Sequence, residues 1–379
     1  MICSRALTQL LNFPKSSIVV ALFGALVIAI NLSKVYVNKW KVTLSAFVIF
    51  FFVVTMLLSD WQETTTEYLL YFVVFGLAAF LPPCHFDYRQ VFQFILLFGL
   101  ILIWPYVHID YVAIAANVGG LNDNVAAVFM DISYKTLVFV VTGFLAVFTE
   151  RDWRMKVLGL VVAVPYLIIS FVYGARGALL SISVFFFLLW IICADTRKIL
   201  RQRVLLVVII CLFVYLLFPI IISGLYNLLQ TFGIEARSVE RLFDAVSNDA
   251  SLSQARGTLA RDAINGFLDS PLWGNGIGSF DHFSGVYPHN IILQLLYEGG
   301  ILLALPLLFC LFKGMYTMVS LKYNRDFRLF LLMLFCSGVI ELFLSSHLWM
   351  SLFFWLFAGQ SLPKKIYIRR RHLCPRAAV

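Results

Sequence analysis

Residues 203–224 read RVLLVVIICLFVYLLFPIIISG, a run in which no charged side chain follows Arg203. A helix that crosses the hydrocarbon core of a bilayer needs ~20 mostly apolar residues. Because lipid offers no partners to backbone N–H and C=O groups, such a run is expected to be a helix, which pairs those groups internally. The stretch therefore predicts a transmembrane helix rather than part of a soluble domain.

The same pattern recurs along the chain, which is 61% hydrophobic and only 13% charged. An ordinary soluble domain is ~45–50% apolar and ~25% charged. The sequence therefore predicts an all-α, polytopic membrane helical bundle of about 11–12 transmembrane helices. The predicted spans are 17–33, 42–58, 67–82, 91–107, 135–149, 156–173, 177–194, 203–224, 289–313, 327–345 and 346–360.

The 29 Lys and Arg residues lie mostly in one set of short loops and in the C-terminal tail. Basic loops mark the cytoplasmic side of a membrane protein. This rule divides the chain into N-terminal transmembrane helices (1–224), a large outer loop (225–288), and C-terminal transmembrane helices with a basic cytoplasmic tail (289–379). Short basic clusters between apolar runs do not form a nucleic-acid-binding surface, so no nucleic-acid partner is expected.

Several chemistries have no motif in this chain. None of the seven cysteines forms a CxxC pair, and HExxH and P-loop patterns are absent, so neither a metal nor another cofactor is predicted. The segment GNGIGS at 274–279 misses the third glycine of the dinucleotide fingerprint and follows no strand. A tight turn is the better interpretation.

The outer loop opens with charged residues, among them Arg237 and Arg241 at a spacing that places both on one helix face. Two interpretations stand: a solvated helix with local ion pairs to Glu240 or Asp244, or a surface that binds an anionic ligand.

Residues 251–269 predict a helix within the outer loop. Arg256 falls in the middle of the apolar face and in the first turn, where backbone N–H groups favour anions, whereas Arg261 lies off that face. Arg256 is therefore a candidate phosphate ligand, with an internal salt bridge as the alternative. The apolar face consists of Leu259, Ala260, Ala263 and Phe267.

Arg176 lies between two apolar spans that are together too long for one crossing, so the chain must turn beside it. The neighbouring Gly174 and Gly177 permit that turn. A guanidinium at this depth favours a phosphate or carboxylate partner. The alternative is an arginine that only extends to the membrane interface.

His289 opens the predicted span 289–313 at the outer boundary. Asn290, Gln294 and Glu298 follow at four-residue spacing and form a polar stripe that should face the bundle interior. A histidine at such a boundary can accept a proton near neutral pH. With the outer arginines on the same side, the pattern favours a functional role over a structural one.

These elements, in this order, resemble the O-antigen polymerase and O-antigen ligase superfamily of bacterial envelope glycosyltransferases. The resemblance covers residues 170–312. It rests on Ala175-Arg176-Gly177-Ala178, Arg256, Pro271-Leu272-Trp273-Gly274-Asn275-Gly276-Ile277-Gly278, His289-Asn290 and Glu298-Gly299-Gly300-Ile301.

The resemblance implies a GT-C-like fold in the bacterial inner membrane, with the long, partly helical loop and the active site facing the periplasm. It implies a metal-independent transferase whose donor is an undecaprenyl-pyrophosphate-linked oligosaccharide. Membrane lipid and a polysaccharide chain-length regulator are further expected partners. The expected catalytic residues are His289 as base and Arg176 and Arg256 on the pyrophosphate. The expected substrate-binding residues are Arg237, Arg241, Asn290, Gln294, Glu298 and Gly276.

We expect an O-antigen polymerase, which joins repeat units at the periplasmic face, because Tyr287-Pro288-His289-Asn290 is typical of that branch. An O-antigen ligase, which transfers the glycan to lipid A–core, is the alternative. A flippase for lipid-linked sugars is a third candidate, but the sequence shows no inverted repeat of the kind that transporters carry.

Overall fold

The computed structural model describes residues 38–81, 88–108, 123–172, 176–232, 239, 243 and 251–362. Every regular element in these ranges is helical. The α-helices are α1 (Lys39–Leu58), α2 (Gln62–Tyr71), α3 (Leu77–Phe80), α4 (Tyr88–His108), α5 (Asp123–Thr149), α6 (Trp153–Val172), α7 (Arg176–Ile192), α8 (Arg197–Thr231), α9 (Ser251–Asp269), α10 (Ser279–Ser284), α11 (Ile291–Val319), α12 (Arg325–Leu334) and α13 (Leu352–Ser361).

Five of the described helices are long and apolar enough to cross a membrane, and a bent sixth qualifies if its two parts form one span. The five are α1, α4, α5, α6 and α11, at the predicted spans 42–58, 91–107, 135–149, 156–173 and 289–313. Large apolar side chains point outward from them; Phe94 and Ile101 of α4 are 70% and 69% exposed. The predicted polytopic helical bundle is confirmed.

Within the described residues, the remaining predicted spans are not single, straight helices long enough to cross the membrane. Helix α8 is bent by 61° between its parts Arg197–Phe213 and Leu216–Thr231. Pro219 accounts for the bend, because its ring displaces the carbonyl four residues earlier and removes one helix bond. Helices α7 and α13 are short, and the predicted span 17–33 lies outside the described residues.

Two π-helical turns interrupt the predicted spans 67–82 and 327–345. One, over Phe72–Gly76, joins α2 to α3, and the other, over Phe335–Val339, follows α12 and leads into a 3-10 turn over Ile340–Phe343. Such turns insert a residue into the helix and often lie near functional sites. The chain then leaves helical structure before Ser345, so residues 345–351 form a break ahead of α13.

The helices approach closely where glycines face each other. A Cβ on Gly143 of α5 would lie 2.6 Å from the Gly159 carbonyl oxygen of α6, so only glycine allows this crossing. The main core gathers large aromatic side chains, including Phe52, Trp349 and Trp355, between α1, α11 and α13. The bundle is therefore tightly packed around the start of α11.

The loops within the described residues lie at two opposite ends of the bundle. Arg89, Glu150, Arg151 and Arg325 line one cavity, so the loops before α4, between α5 and α6, and before α12 share one end, which we call the basic end. Helix α11 runs from the opposite end to the basic end. At that opposite end the glycine-rich turn and the 345–351 break contact α11, and Trp61 contacts the turn. This grouping matches the distribution of Lys and Arg in the sequence.

Candidate functional site

The glycine-rich turn after α9 packs against a kink in α11. At Gly300 the backbone leaves helical geometry (φ 57°, ψ −164°). The Asn275 N–H donates to the Tyr297 carbonyl, and the Gly276 N–H to the Glu298 carbonyl, each at 2.8 Å. Without these bonds the kink would leave both carbonyls without a hydrogen-bond donor. An unpaired carbonyl is costly in a buried segment, so the turn stabilises the kink.

Glycine is required at this contact for two reasons. Gly274 has φ 71°, and a Cβ there would lie 2.5 Å from the carbonyl carbon of Glu298. Gly276 has φ 97° and faces α1, where a Cβ would lie 3.0 Å from the Thr55 side chain. The predicted tight turn is confirmed, and it explains why the glycine-rich and Glu-Gly-Gly motifs occur together.

The predicted polar stripe on α11 faces inward. Asn290 caps the helix, its Oδ1 accepting from the Ile292 and Leu293 N–H groups at 2.9 and 3.3 Å, so α11 begins at Ile291. One and two turns later, Gln294 is 2% exposed and Glu298 is fully buried. A carboxyl group at this position needs hydrogen-bond partners, and the break at 345–351 supplies some of them.

The orientation of the Gln294 amide is fixed by its neighbours. The Leu348 N–H donates to Oε1, so Nε2 is the donor that lies 3.2 Å from Glu298 Oε1 and 3.1 Å from His347 Nδ1. The second Glu298 oxygen accepts from Trp349 Nε1 at 2.6 Å. His347 Nδ1 is therefore an acceptor, and the imidazole proton lies on Nε2.

That proton faces a carboxylate of the outer loop. His347 Nε2 lies 2.5 Å from Asp281 Oδ2, which also accepts from the Tyr68 hydroxyl at 2.5 Å. Asp281 Oδ1 is buried, and within the described part of the chain no donor reaches it. Asp281 belongs to the short helix α10, so the pair joins the loop to α2 and to the 345–351 break.

His289 lies beside this pair in a strained backbone conformation. Its φ is 53°, in the left-handed region that non-glycine residues rarely adopt. The Tyr287 ring contacts both imidazoles, with centroids 4.3 Å from His289 and 5.6 Å from His347, and its hydroxyl donates to the Ser345 carbonyl at 2.7 Å. Tyr287 therefore connects the two histidines.

Arg176 is the first residue of α7, and the predicted turn before it lies outside the described residues, as does the Arg176 side chain. The next residue, Gly177, packs so closely that an added Cβ would clash with the Tyr134 hydroxyl and lie 2.9 Å from Leu344 Cδ1. Leu344 comes three positions before His347. The start of α7 therefore lies next to the break that carries His347.

The arginines of the outer loop are less fully described. Arg256 lies in α9, which forms as predicted, with Ala263 buried and Arg261 exposed. The helix packs against α11 through Gly266, where a Cβ would clash with the Tyr297 ring. The Arg256 side chain and both Arg237 and Arg241 lie outside the described residues.

One group of potential metal ligands occurs in the described ranges: Asp281, Glu298 and His347, whose ligand atoms lie within 4.8 Å of one another. The sequence contains no motif that predicts such a group. Both Glu298 oxygens and His347 Nδ1 already face hydrogen-bond donors, and His347 Nε2 faces Asp281. The arrangement is that of a hydrogen-bonded network, and a cation would have to displace those donors.

Comparison with protein families identifies the segment that contains most of this site. Residues 161–308 match the O-antigen ligase family. The matched domain confirms the resemblance to the O-antigen polymerase and ligase superfamily, a family that implies glycosyltransferase-like activity. It does not separate polymerase from ligase. Comparison with curated proteins and with solved structures gave no match.

The O-antigen ligase domain includes Arg176, Arg256, Asp281, His289 and Glu298. Tyr68 precedes this domain in the sequence and His347 follows it, and the folding of the chain brings both side chains to the site. The candidate site is therefore completed by the helices that flank the domain.

Sequence reasoning missed Asp281 and His347. His347 lies in Ser345-Ser346-His347, which the sequence indicates only as a break between two spans. A polar triplet with an imidazole inside an apolar region was the available signal. Asp281 gave no signal, because its partners are 66 and 213 positions away in the chain.

Proposed function

We propose that the protein is an O-antigen polymerase that joins undecaprenyl-pyrophosphate-linked oligosaccharide repeats at the periplasmic face of the bacterial inner membrane. The family match supports a polymerase or ligase. The observation that carries the proposal is the strained His289 beside the Asp281–His347 pair. Residues in such conformations cluster at active sites, and imidazoles there act as proton acceptors.

The orientation follows from charge. The site lies at the end of α11 opposite the basic end, and basic loops face the cytoplasm. The site then faces the periplasm, where lipid-linked repeats are joined. Undecaprenyl chains are expected to lie in grooves between the exposed apolar helices, and a chain-length regulator is a proposed partner.

In the proposed reaction a hydroxyl oxygen of the acceptor sugar attacks the anomeric carbon of the donor glycan. The bond from that carbon to the pyrophosphate oxygen breaks, and the lipid pyrophosphate leaves with the bonding electrons. Its negative charge is stabilised by Arg176 and Arg256, and one preorganised donor of this kind contributes ~3–4 kcal/mol to the barrier reduction. Both arginines lie within the matched segment, residues 161–308.

The hydroxyl proton passes to His289 as the acceptor attacks. Asp281 and His347 act as positioning residues, because their pair holds the 345–351 break against Tyr287, which contacts His289. A base must lie within hydrogen-bond reach of the proton that it accepts, so a strained and well-held histidine suits the role.

The remaining predicted residues have supporting roles in this proposal. Arg237 and Arg241 bind glycan or diphosphate. Gly276 allows the glycan to approach the turn closely. Gln294 and Glu298 hold the network in place, and Asn290 fixes the start of α11 beside His289.

The proposed transferase needs no metal. Both Glu298 oxygens and His347 Nδ1 face hydrogen-bond donors of the protein itself, and Asp281 Oδ2 accepts from Tyr68 and faces His347 Nε2. Negative charge on the leaving pyrophosphate is then stabilised by guanidinium groups rather than by a metal ion.

Two other functions remain to be tested against the polymerase. A ligase uses the same donor and differs in its acceptor, lipid A–core. A flippase must offer a path between both sides of the membrane, typically with ionisable groups near mid-membrane. The Asp281–Glu298–His347 network lies toward one end of α11, which favours the transferases.

The test is a strain that lacks this chain, examined by lipopolysaccharide gel. The proposal predicts core carrying a single repeat. Core alone, with lipid-linked polymer accumulating, identifies a ligase instead. Repeats retained on the cytoplasmic face identify a flippase.

A further inference from the structure

A cavity of about 270 Å³ lies between the end of α1 and the glycine-rich turn. It has an apolar side and a polar side, and it is open on one face. Its lining residues include Phe51, Thr55, Ser59, Trp61, Trp273 and Gly276.

Two indole rings form its walls. Trp61 Nε1 donates to the Ile277 carbonyl at 3.3 Å, which fixes that ring against the turn. Trp273 packs on Phe51 with ring centroids 5.7 Å apart and is still 52% exposed. Flat aromatic faces left open in this way suit a ligand that presents a face of C–H groups.

Ser59 marks the polar side. It is only 8% exposed, and its Oγ is buried with no hydrogen-bond partner among the described residues. Buried hydroxyl groups in native structures are almost always hydrogen-bonded. Ser59 lines the cavity, so rotation of its side chain would turn this unsatisfied hydroxyl toward a ligand with its own hydroxyl or carbonyl groups.

We propose that this cavity binds one sugar ring of the lipid-linked glycan. A hydrocarbon chain would leave Ser59 unsatisfied. A diphosphate would lack a cation, because no Lys or Arg of the described part lines the cavity. A sugar ring offers hydroxyl groups to Ser59 and a C–H face to the indoles. The inference rests on the proposed glycosyl transfer and names the site that recognises the glycan.

The cavity is connected to the candidate site through its wall. Gly276 lines the cavity while its N–H donates to the Glu298 carbonyl at 2.8 Å. Trp61 stacks on His282, the neighbour of Asp281, with centroids 5.7 Å apart. A sugar bound here would lie beside the network, as one ring of a longer glycan whose reacting end reaches His289.

The test uses the purified full chain in detergent and saturation-transfer NMR. The probe is the repeat-unit oligosaccharide that mild acid releases from the lipid-linked intermediates of the source strain. We expect saturation transfer to C–H protons of the sugar. Trp273→Ala should weaken binding about tenfold, since one aromatic contact is lost. Ser59→Ala should weaken it less, and Trp153→Ala, which removes a more exposed indole outside the cavity, should not change it.

Two results would overturn the proposal: no transfer to the sugar from the wild-type chain, or displacement of the sugar by stoichiometric undecaprenyl phosphate, which would identify a lipid groove. The outcome is separable from that of the proposed function. Normal polymer in cells without sugar binding rejects this subsite alone. Sugar binding with the gel pattern of a ligase or flippase rejects the polymerase and leaves the subsite.

Discussion

His289 combines an unfavourable backbone conformation with a position next to two other ionisable residues. A positive φ at a non-glycine residue costs of order 1–3 kcal/mol and persists only where its surroundings hold it. Here the holding groups are the buried Pro288, the Tyr287 ring and the cap formed by Asn290. The strain is consistent with a side chain that must point in one direction for chemistry.

Replacing His289 by Ala should remove the proton acceptor and lower the rate of glycan transfer by about 10²–10⁴-fold. The measurement is the initial rate of polymer formation in membrane vesicles, with protein quantity checked by immunoblot. Ser284→Ala is the control, because it changes an exposed side chain of the same loop. Equal loss in both variants would indicate damage to the loop and count against a base at position 289.

The Asp281–His347 pair should behave as one unit. Asp281→Asn and His347→Gln should each lower kcat with little change in KM, because the pair positions His289 without binding substrate. The double variant should be no slower than the slower single variant, since neither change acts without the other partner. Fully additive losses in the double-mutant cycle would show that the two residues act independently.

The sequence predicts the inward-facing residues of α11 because they share one helix and a four-residue spacing. Gln294 and Glu298 are both buried as that spacing requires. The partners of the stripe, Asp281 and His347, were not predictable in this way. Their contacts join segments that are distant in the chain, and a single sequence carries no record of such pairings.

At the scale of elements, the contact between the glycine-rich turn and the α11 kink holds the site in place. The turn supplies N–H donors to the kinked helix, and the kink brings Glu298 beside the 345–351 break. Gly274 is the closest point of approach, because the backbone of Glu298–Gly300 occupies the space that a side chain would need.

Gly274→Ala should therefore lower the free energy of unfolding by about 2–4 kcal/mol, from a positive φ and a backbone clash together. Gly257→Ala in α9 is the control, since a Cβ there meets no atom of the described residues within 4 Å. Alanine inside a helix should leave stability unchanged or raise it by ~0.5–1 kcal/mol. The stability of both variants is measured by thermal melting in detergent, with size-exclusion chromatography used to detect the protein that remains folded. Equal melting temperatures would refute the close contact.

Elements with a strong periodic pattern were predicted well. The helix at 251–269 forms as α9 with the predicted bounds, and five predicted spans coincide with long apolar helices. Interruptions were not predicted, among them the kink at Gly300 and the π-helical turns. They arise from packing between helices, and the hydrophobic pattern of one segment contains no information about its neighbours.

At the scale of the whole molecule, the distribution of charge separates two ends. Loops rich in Lys and Arg meet at the basic end, while the histidine site lies at the opposite end of α11. Both groupings bring together loops that are far apart in sequence. The positive-inside rule then predicts that the site lies at the outer face.

Cysteine labelling tests this orientation. In a background without the seven native cysteines, Ser284→Cys at the site end should react with a membrane-impermeant maleimide in spheroplasts. Arg151→Cys, exposed at the basic end, should react only after the membrane is permeabilised. The reverse pattern would place the site in the cytoplasm and contradict the proposed donor.

Polymer formation by the purified chain is the most direct test of glycan transfer at this site. The full-length protein, reconstituted in vesicles with its undecaprenyl-pyrophosphate-linked repeat and EDTA, should produce a ladder of longer glycans. The His289→Ala protein, prepared in the same way, should leave the single repeat unchanged. A ladder of equal length and rate from the His289→Ala protein would contradict the account.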